Sequence, residues 1–169
     1  MFNYRKEVIN MLIPYFRRDR RCYLLVGDMG FGAIDRLRDE FPERVINCGI
    51  MEQGAAGIAA GMSMSGLIPI FYSIVNFLVY RSLEQVRNDI VAQKLNVKLI
   101  GTGANDYFKF LGPSHCCGGD DIKIMRLINM DVYDPYEGGG ELSAEESEED
   151  FAEMVDQWMN SDRCGYLRV

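Results

Sequence analysis

This sequence predicts an α/β fold, a mostly parallel six-stranded sheet with helices on both faces. Short apolar runs such as "CYLLV" (22–26) and "VKLIG" (97–101) alternate with longer stretches of helical periodicity. Alternation of that kind places helices over a sheet whose strands are buried on both sides. No internal repeat divides the 169 residues, so residues 1–169 are expected to form a single domain.

The elements follow in order. Residues 3–18 carry Val8, Ile9, Leu12 and Phe16 at helical spacing, and Pro14 is expected to kink that helix. A strand at 22–26 leads through "GDMGFG" (27–32) into a charged helix near 32–41 and a second strand, "RVIN" (44–47). Residues 52–65 read as a helix stopped by Gly66, then "IPIFYS" (68–73) as a strand and 77–96 as one long helix. Strand 97–101, helix 120–128 and the strand "DVYD" (131–134) continue the pattern. After the glycine turn "YEGGG" (136–140), Ser143 and Glu146 have capping-box spacing. Phe151, Met154, Val155 and Trp158 then fall on one helical face before a last strand, "YLRV" (166–169).

Composition narrows the function classes. Eighteen Lys and Arg against 25 Asp and Glu give a formal charge of −7, which repels phosphate backbones and anionic membranes, so no nucleic-acid or membrane partner is expected. Five cysteines (Cys22, Cys48, Cys116, Cys117, Cys164) without framework spacing, and no secretory signal at the start, fit a cytoplasmic protein. The longest apolar run, 67–80, contains Pro69, Ser73 and Asn76 and is shorter than the roughly 20 residues that span a membrane.

Most local motifs have ordinary readings. The glycines of "GDMGFG" run G-x-x-G-x-G, not the G-x-G-x-x-G of dinucleotide sites, and suit a tight strand-to-helix turn. Gly118 to Asp121 match no calcium loop, and Asp120 is better placed as a helix start. His115, Cys116 and Cys117 are adjacent and do not converge on one zinc, so no metal is expected there. The segment "EQGAAGIAAG" (52–61) is different. Three glycines in a helix cost about 1 kcal/mol each against alanine. They suit close approach of another backbone, either inside the domain or across a subunit seam with Glu52 at its head.

Three motifs in order, "NCGIMEQGAAG", the aromatic segment "IPIFYSIVNFLVYRSLEQ" and "LGPSH", resemble the pyrimidine-binding domain of the transketolase family, deoxyxylulose-phosphate synthases included. The resemblance runs from about residue 5 to 169. It implies thiamine diphosphate as cofactor. By position, Glu52 is then the catalytic glutamate hydrogen-bonded to the aminopyrimidine ring, and Phe77 and Tyr80 are the aromatics that pack on that ring. Arg81 resembles a nearby arginine of the synthases, and alignments with the two branches differ by one residue at Tyr80 and Arg81. His115, in the G-P-S-H loop, faces substrate and moves protons on its oxygens. Asp28 resembles a cofactor-side residue near the subunit seam.

The G-D-G motif with which the family's other half holds Mg2+ and diphosphate does not occur here, and the further C-terminal transketolase domain is expected to be missing. The resemblance therefore implies a split enzyme. A separate diphosphate-binding subunit would share the cofactor and hold most of the Mg2+, in a heterotetramer or with a homodimer contact. The reaction implied is two-carbon ketol transfer between sugars, free, phosphorylated or nucleotide-linked. Acyl transfer or decarboxylation of a 2-oxoacid, and a non-catalytic relic of the fold, are the alternatives.

Overall fold

All six expected strands form and all run parallel: β1 (Cys22–Val26), β2 (Val45–Asn47), β3 (Ile68–Ile74), β4 (Lys98–Thr102), β5 (Asp131–Tyr133) and β6 (Gly165–Arg168). Their order across the sheet is β2-β1-β3-β4-β6-β5. The computed structural model describes residues 2–137 and 144–169, with the side chains of 144–146 left aside. The helices are α1 (Tyr4–Arg18), α2 (Asp35–Glu40), α3 (Glu52–Met64), α4 (Leu83–Gln85), α5 (Asp120–Leu127) and α6 (Ala144–Asn160). None among the described residues is long and apolar enough to cross a membrane.

Adjacent strand residues divide between two cores, because successive side chains point to opposite faces. Leu24, Tyr72, Ile100 and Leu167 meet α1, α2 and α6 through Leu12, Phe16, Leu37, Phe151 and Trp158. Their neighbours Leu25, Phe71, Leu99 and Tyr166 meet α3, the 77–91 segment and α5 through Ala55, Ala59, Val86, Ile90 and Met125. Trp158 is buried, and its indole N–H donates to the Gly165 carbonyl at 3.0 Å, tying α6 to β6. Lys98 is wholly buried at the start of β4, where Nζ donates to the carbonyls of Ser161 (2.7 Å) and Arg163 (2.8 Å). Burial pushes its pKa down to about 8.

Local departures from expectation have physical causes. The long helix expected over 77–96 is broken into π-helical turns, Phe77–Arg81 and Val86–Val91, on either side of the three-residue α4. Ser82 lies between them with φ −109° and ψ 15°, and its buried hydroxyl donates to the Leu78 carbonyl at 2.6 Å. A serine that bonds back to the preceding turn disturbs the i to i−4 ladder. The charged helix starts at Asp35, later than expected, since Gly30 and Gly32 hold left-handed φ (+87° and +79°) through the turn. It ends before Pro42, which opens a short 3₁₀ turn into β2. α1 runs unbroken through Pro14. The expected capping residues Ser143 and Glu146 lie outside the residues whose side chains are described.

β2 lies on one side of β1 and β3 on the other, so the strand order reverses between β1 and β3. A crevice at the carboxyl ends of the strands is where such sheets bind ligands.

Candidate active site

Glu52 opens α3 directly above this switch point and is 2% exposed. Three features of the sequence put it there. β2 ends at Asn47; Gly49 turns the chain with φ +72°; and the alanines 55, 56, 59 and 60 hold α3 flat on the sheet. The glycines lie on another side of the helix, where added methyls at Gly57 and Gly61 would meet nothing within 4 Å. The alanines thus account for packing inside the domain, Gly54 makes room for the Met51 side chain, and Gly57 and Gly61 leave an open outer stripe.

Gly27, the first residue past β1, supplies backbone without side chain beneath the carboxylate. A methyl there would sit 3.8 Å from Glu52 Oε1 and 4.0 Å from Ser73 Oγ. Ser73 is fully buried at the end of β3, and its hydroxyl has no hydrogen-bond partner in the protein. The other carboxylate oxygen, Oε2, accepts from Arg81 Nη1 at 2.6 Å. The Arg81 guanidinium lies over the Phe77 ring, 4.1 Å from its centroid, a cation–π contact. The edge-to-face partner of Phe77 is His115, at 4.9 Å and 70°. The Ser114 hydroxyl is 3.0 Å from His115 Nδ1, and Asn76 Nδ2 donates to the Ser114 carbonyl at 2.6 Å.

The structure therefore brings Glu52, Arg81, Phe77 and His115 into one contiguous row. Tyr80 and Asp28 stand outside it. Tyr80 is 48% exposed and turned toward α5, where partial burial and the Asp120 carboxylate raise its phenol pKa. Asp28 is exposed with φ +52°, its N–H donating to Asn47 Oδ1 (2.9 Å) and its carboxylate accepting from Asn47 Nδ2 (3.0 Å). It shapes the turn between the β1 and β2 ends. Burial, with Asp121 nearby, pushes the Cys117 thiol up to about 12. It stays protonated and packs against the core beside α5. No group of three or more His, Cys, Asp or Glu able to hold a metal ion occurs among the described residues.

Sequence reasoning missed a second polar cluster nearby. Arg168, at the end of β6, is buried with Asp121 and Asp134, and Tyr166 donates its hydroxyl to Asp121 at 2.8 Å. Only the unusual arginine inside the apolar "YLRV" signalled it.

A parallel α/β sheet with a buried carboxylate at its switch crevice defines a ligand-binding domain of the open, twisted-sheet class. The chain belongs to the family of transketolase pyrimidine-binding domains, which it matches over residues 1–139. Among curated relatives it is 31% identical over 135 residues to the 6-deoxy-6-sulfo-D-fructose transketolase subunit of Clostridium sp. strain MSTE9, covering 79% of this chain and 42% of that protein. It is 33% identical over 125 residues to an apulose-4-phosphate transketolase subunit of Phocaeicola vulgatus, covering 73% and 40%. The chain thus spans less than half the length of these relatives. A solved split-gene transketolase, described as an inactive β4 tetramer, superposes with a TM-score of 0.79 at 29% identity, over 99% of this chain and 51% of that one.

Proposed function

We propose that this chain is the pyrimidine-binding subunit of a split, thiamine-diphosphate-dependent transketolase-like enzyme. On this reading it serves two-carbon ketol transfer from a ketose to an aldehyde, and a separate subunit holds the diphosphate and Mg2+. The observation that carries the reading is the Glu52 carboxylate, 2% exposed, held by Arg81 on one oxygen and facing the bare backbone of Gly27 with the other. Arg81 offsets part of the several kcal/mol that burying a charge costs, and Oε1, which accepts no hydrogen bond among the described residues, is left to serve a ligand.

The residues fit an aminopyrimidine. Glu52 offers an acceptor for a ring N–H, Phe77 a flat apolar wall beside it, and Ser73 an uncommitted buried hydroxyl. When bound, thiamine diphosphate supplies an acidic thiazolium carbon as the nucleophile. With the cofactor bound, Glu52 Oε1 would accept and return the proton of a ring nitrogen, while Arg81 holds the carboxylate through Oε2. The Ser114 hydroxyl occupies Nδ1 of His115, which leaves Nε2 to meet a substrate oxygen. Two relatives named as transketolase subunits support the reaction class, and the inactive tetramer of the split-gene relative supports the need for a second subunit.

The test is reconstitution with the co-purifying subunit. Ketol transfer from a ketose donor is expected, with thiamine diphosphate binding detected by calorimetry. Glu52→Gln should fold normally and lose roughly 10²- to 10⁴-fold in turnover. Full turnover in that variant, or preference for a 2-oxoacid over every ketose tried, refutes the reading.

A further inference from the structure

The loop that carries His115 runs from the end of β4 to the start of α5; its first residues are tied to the sheet, Gly103 and Ala104 donating to the Val169 carbonyl at 2.7 and 3.1 Å, and beyond them it makes only short 3₁₀ turns. From Asn105 onward its anchors include side chains. Asn105 and Asp106 both adopt left-handed φ (+54° and +58°). Asp106 Oδ1 accepts from the backbone N–H groups of Cys117 (3.0 Å) and Gly118 (2.8 Å), clamping the chain two residues past His115. Asn105 Oδ1 accepts from Arg168 Nη2 at 3.0 Å. The guanidinium is otherwise committed to two buried carboxylates. Nε donates to Asp121 Oδ2 (2.8 Å) at the start of α5, and Nη1 to both oxygens of Asp134 (3.2 Å each) past β5. A planar fork with all its donors engaged has one orientation.

Arg168 is 1% exposed, Asp121 0% and Asp134 8%, so the cluster lies in the fold, away from solvent. One positive charge between two carboxylates makes an expensive arrangement where a hydrophobic trio of similar volume would pack as well. β6 enters the sheet between β4 and β5, and this insertion is what delivers Arg168 under the loop after β4.

We propose that Arg168 is a positioning residue, which through Asn105 and Asp106 sets the place of the His115 loop against Phe77. The proposal rests on the reading above only for the catalytic meaning of His115. The geometry itself is testable without turnover, because His115 is the sole histidine in the chain. In a 1H–13C spectrum of the full chain its ring gives one Cε1–Hε1 signal, displaced by the ring current of Phe77 at 4.9 Å.

Asn105→Gly keeps the left-handed backbone and cuts the link to Arg168 without disturbing the buried charges. Arg168→Lys keeps the charge and loses the fork. Both are expected to move the His115 signal toward that of an unstructured histidine while the rest of the spectrum keeps its dispersion. Lys123→Met, which breaks only the exposed pair with Asp120, leaves the signal in place. A wild-type His115 signal in folded Asn105→Gly overturns the proposal, and that variant decides alone if Arg168→Lys does not fold. In the assembled enzyme, Asn105→Gly is expected to lower kcat on the order of tenfold or more with donor KM little changed. A displaced signal with unaltered kcat removes His115 from the chemistry and leaves the positioning role intact.

Discussion

The Glu52–Arg81 pair can be weighed by a double-mutant cycle independent of any activity. Arg81→Met deletes the guanidinium that donates to Glu52 at 2.6 Å and keeps the aliphatic volume. The two partners differ in surroundings: the carboxylate side chain is 2% exposed, the arginine 41%. A hydrogen bond to a charged group contributes about 1.5–3 kcal/mol, and water around the open arginine screens it toward the lower end, giving a coupling of about 1.5 kcal/mol. The single variant should lose more, about 2 kcal/mol, since Glu52 is left buried without its donor and the contact with Phe77 also goes. For a chain of this size that corresponds to roughly 4–8 °C in Tm. Urea unfolding of wild type, Arg81→Met, Glu52→Gln and the double variant measures the coupling, from which the Phe77 contribution cancels. Tyr80→Phe, altered at an exposed phenol, should stay within about 0.5 kcal/mol of wild type. Additivity of the Arg81 and Glu52 variants within about 0.3 kcal/mol shows that the pair does not form, and Arg81 then does not fix the carboxylate.

Two further outcomes follow from buried polar groups. Lys98, with its pKa lowered from 10.5 to about 8, is protonated in both folded and unfolded chains below about pH 8, so the cost of burying its charge is fully present there. Between about 8 and 10.5 the folded chain sheds the proton first and unfolding takes one up, so this residue makes stability rise with pH. Relative to Lys98→Met, wild type should gain up to about 3 kcal/mol across that window in denaturant titrations; a flat difference contradicts the burial. Gly101→Ala drives a methyl into the buried ring and hydroxyl of Tyr166, and should cost about 2–3 kcal/mol in unfolding free energy with loss of the Tyr166–Asp121 bond. An unchanged Tm shows that the ring is free to move aside.

How legible this was in sequence depended on whether the determining contacts were local. The six strands were readable because short apolar runs bounded by turns have few other uses in a chain this size. Glu52, Phe77 and His115 were singled out because three motifs stand in one order, and the structure sets those three residues in one row with Arg81. The choice between Tyr80 and Arg81 stayed open because alignments with the two family branches differ there by one residue. Arg81 is four residues past Phe77, a spacing that shares a face in an α-helix as well, and the structure sets its guanidinium over that ring. Asp120 does start α5, exposed and paired with Lys123 at 3.1 Å, but its neighbour Asp121 turns inward to a partner 47 residues away. No local pattern announces a contact of that span. The Asn105 and Asp106 anchors were hidden likewise, since each is recognisable only by what it holds.

The place of β6 bears on how the molecule is made. Because β5 touches the sheet only through β6, residues 131–133 have no neighbour to join until residues 165–168 have been synthesised. On the ribosome the first four strands can zip together while β5 waits as an unpaired ribbon, and α6 emerges before the piece that locks it. Until residues 165–168 are made, the nascent chain thus carries a strand-shaped gap beside β4, an open edge of the kind that chaperones or a second nascent copy can occupy.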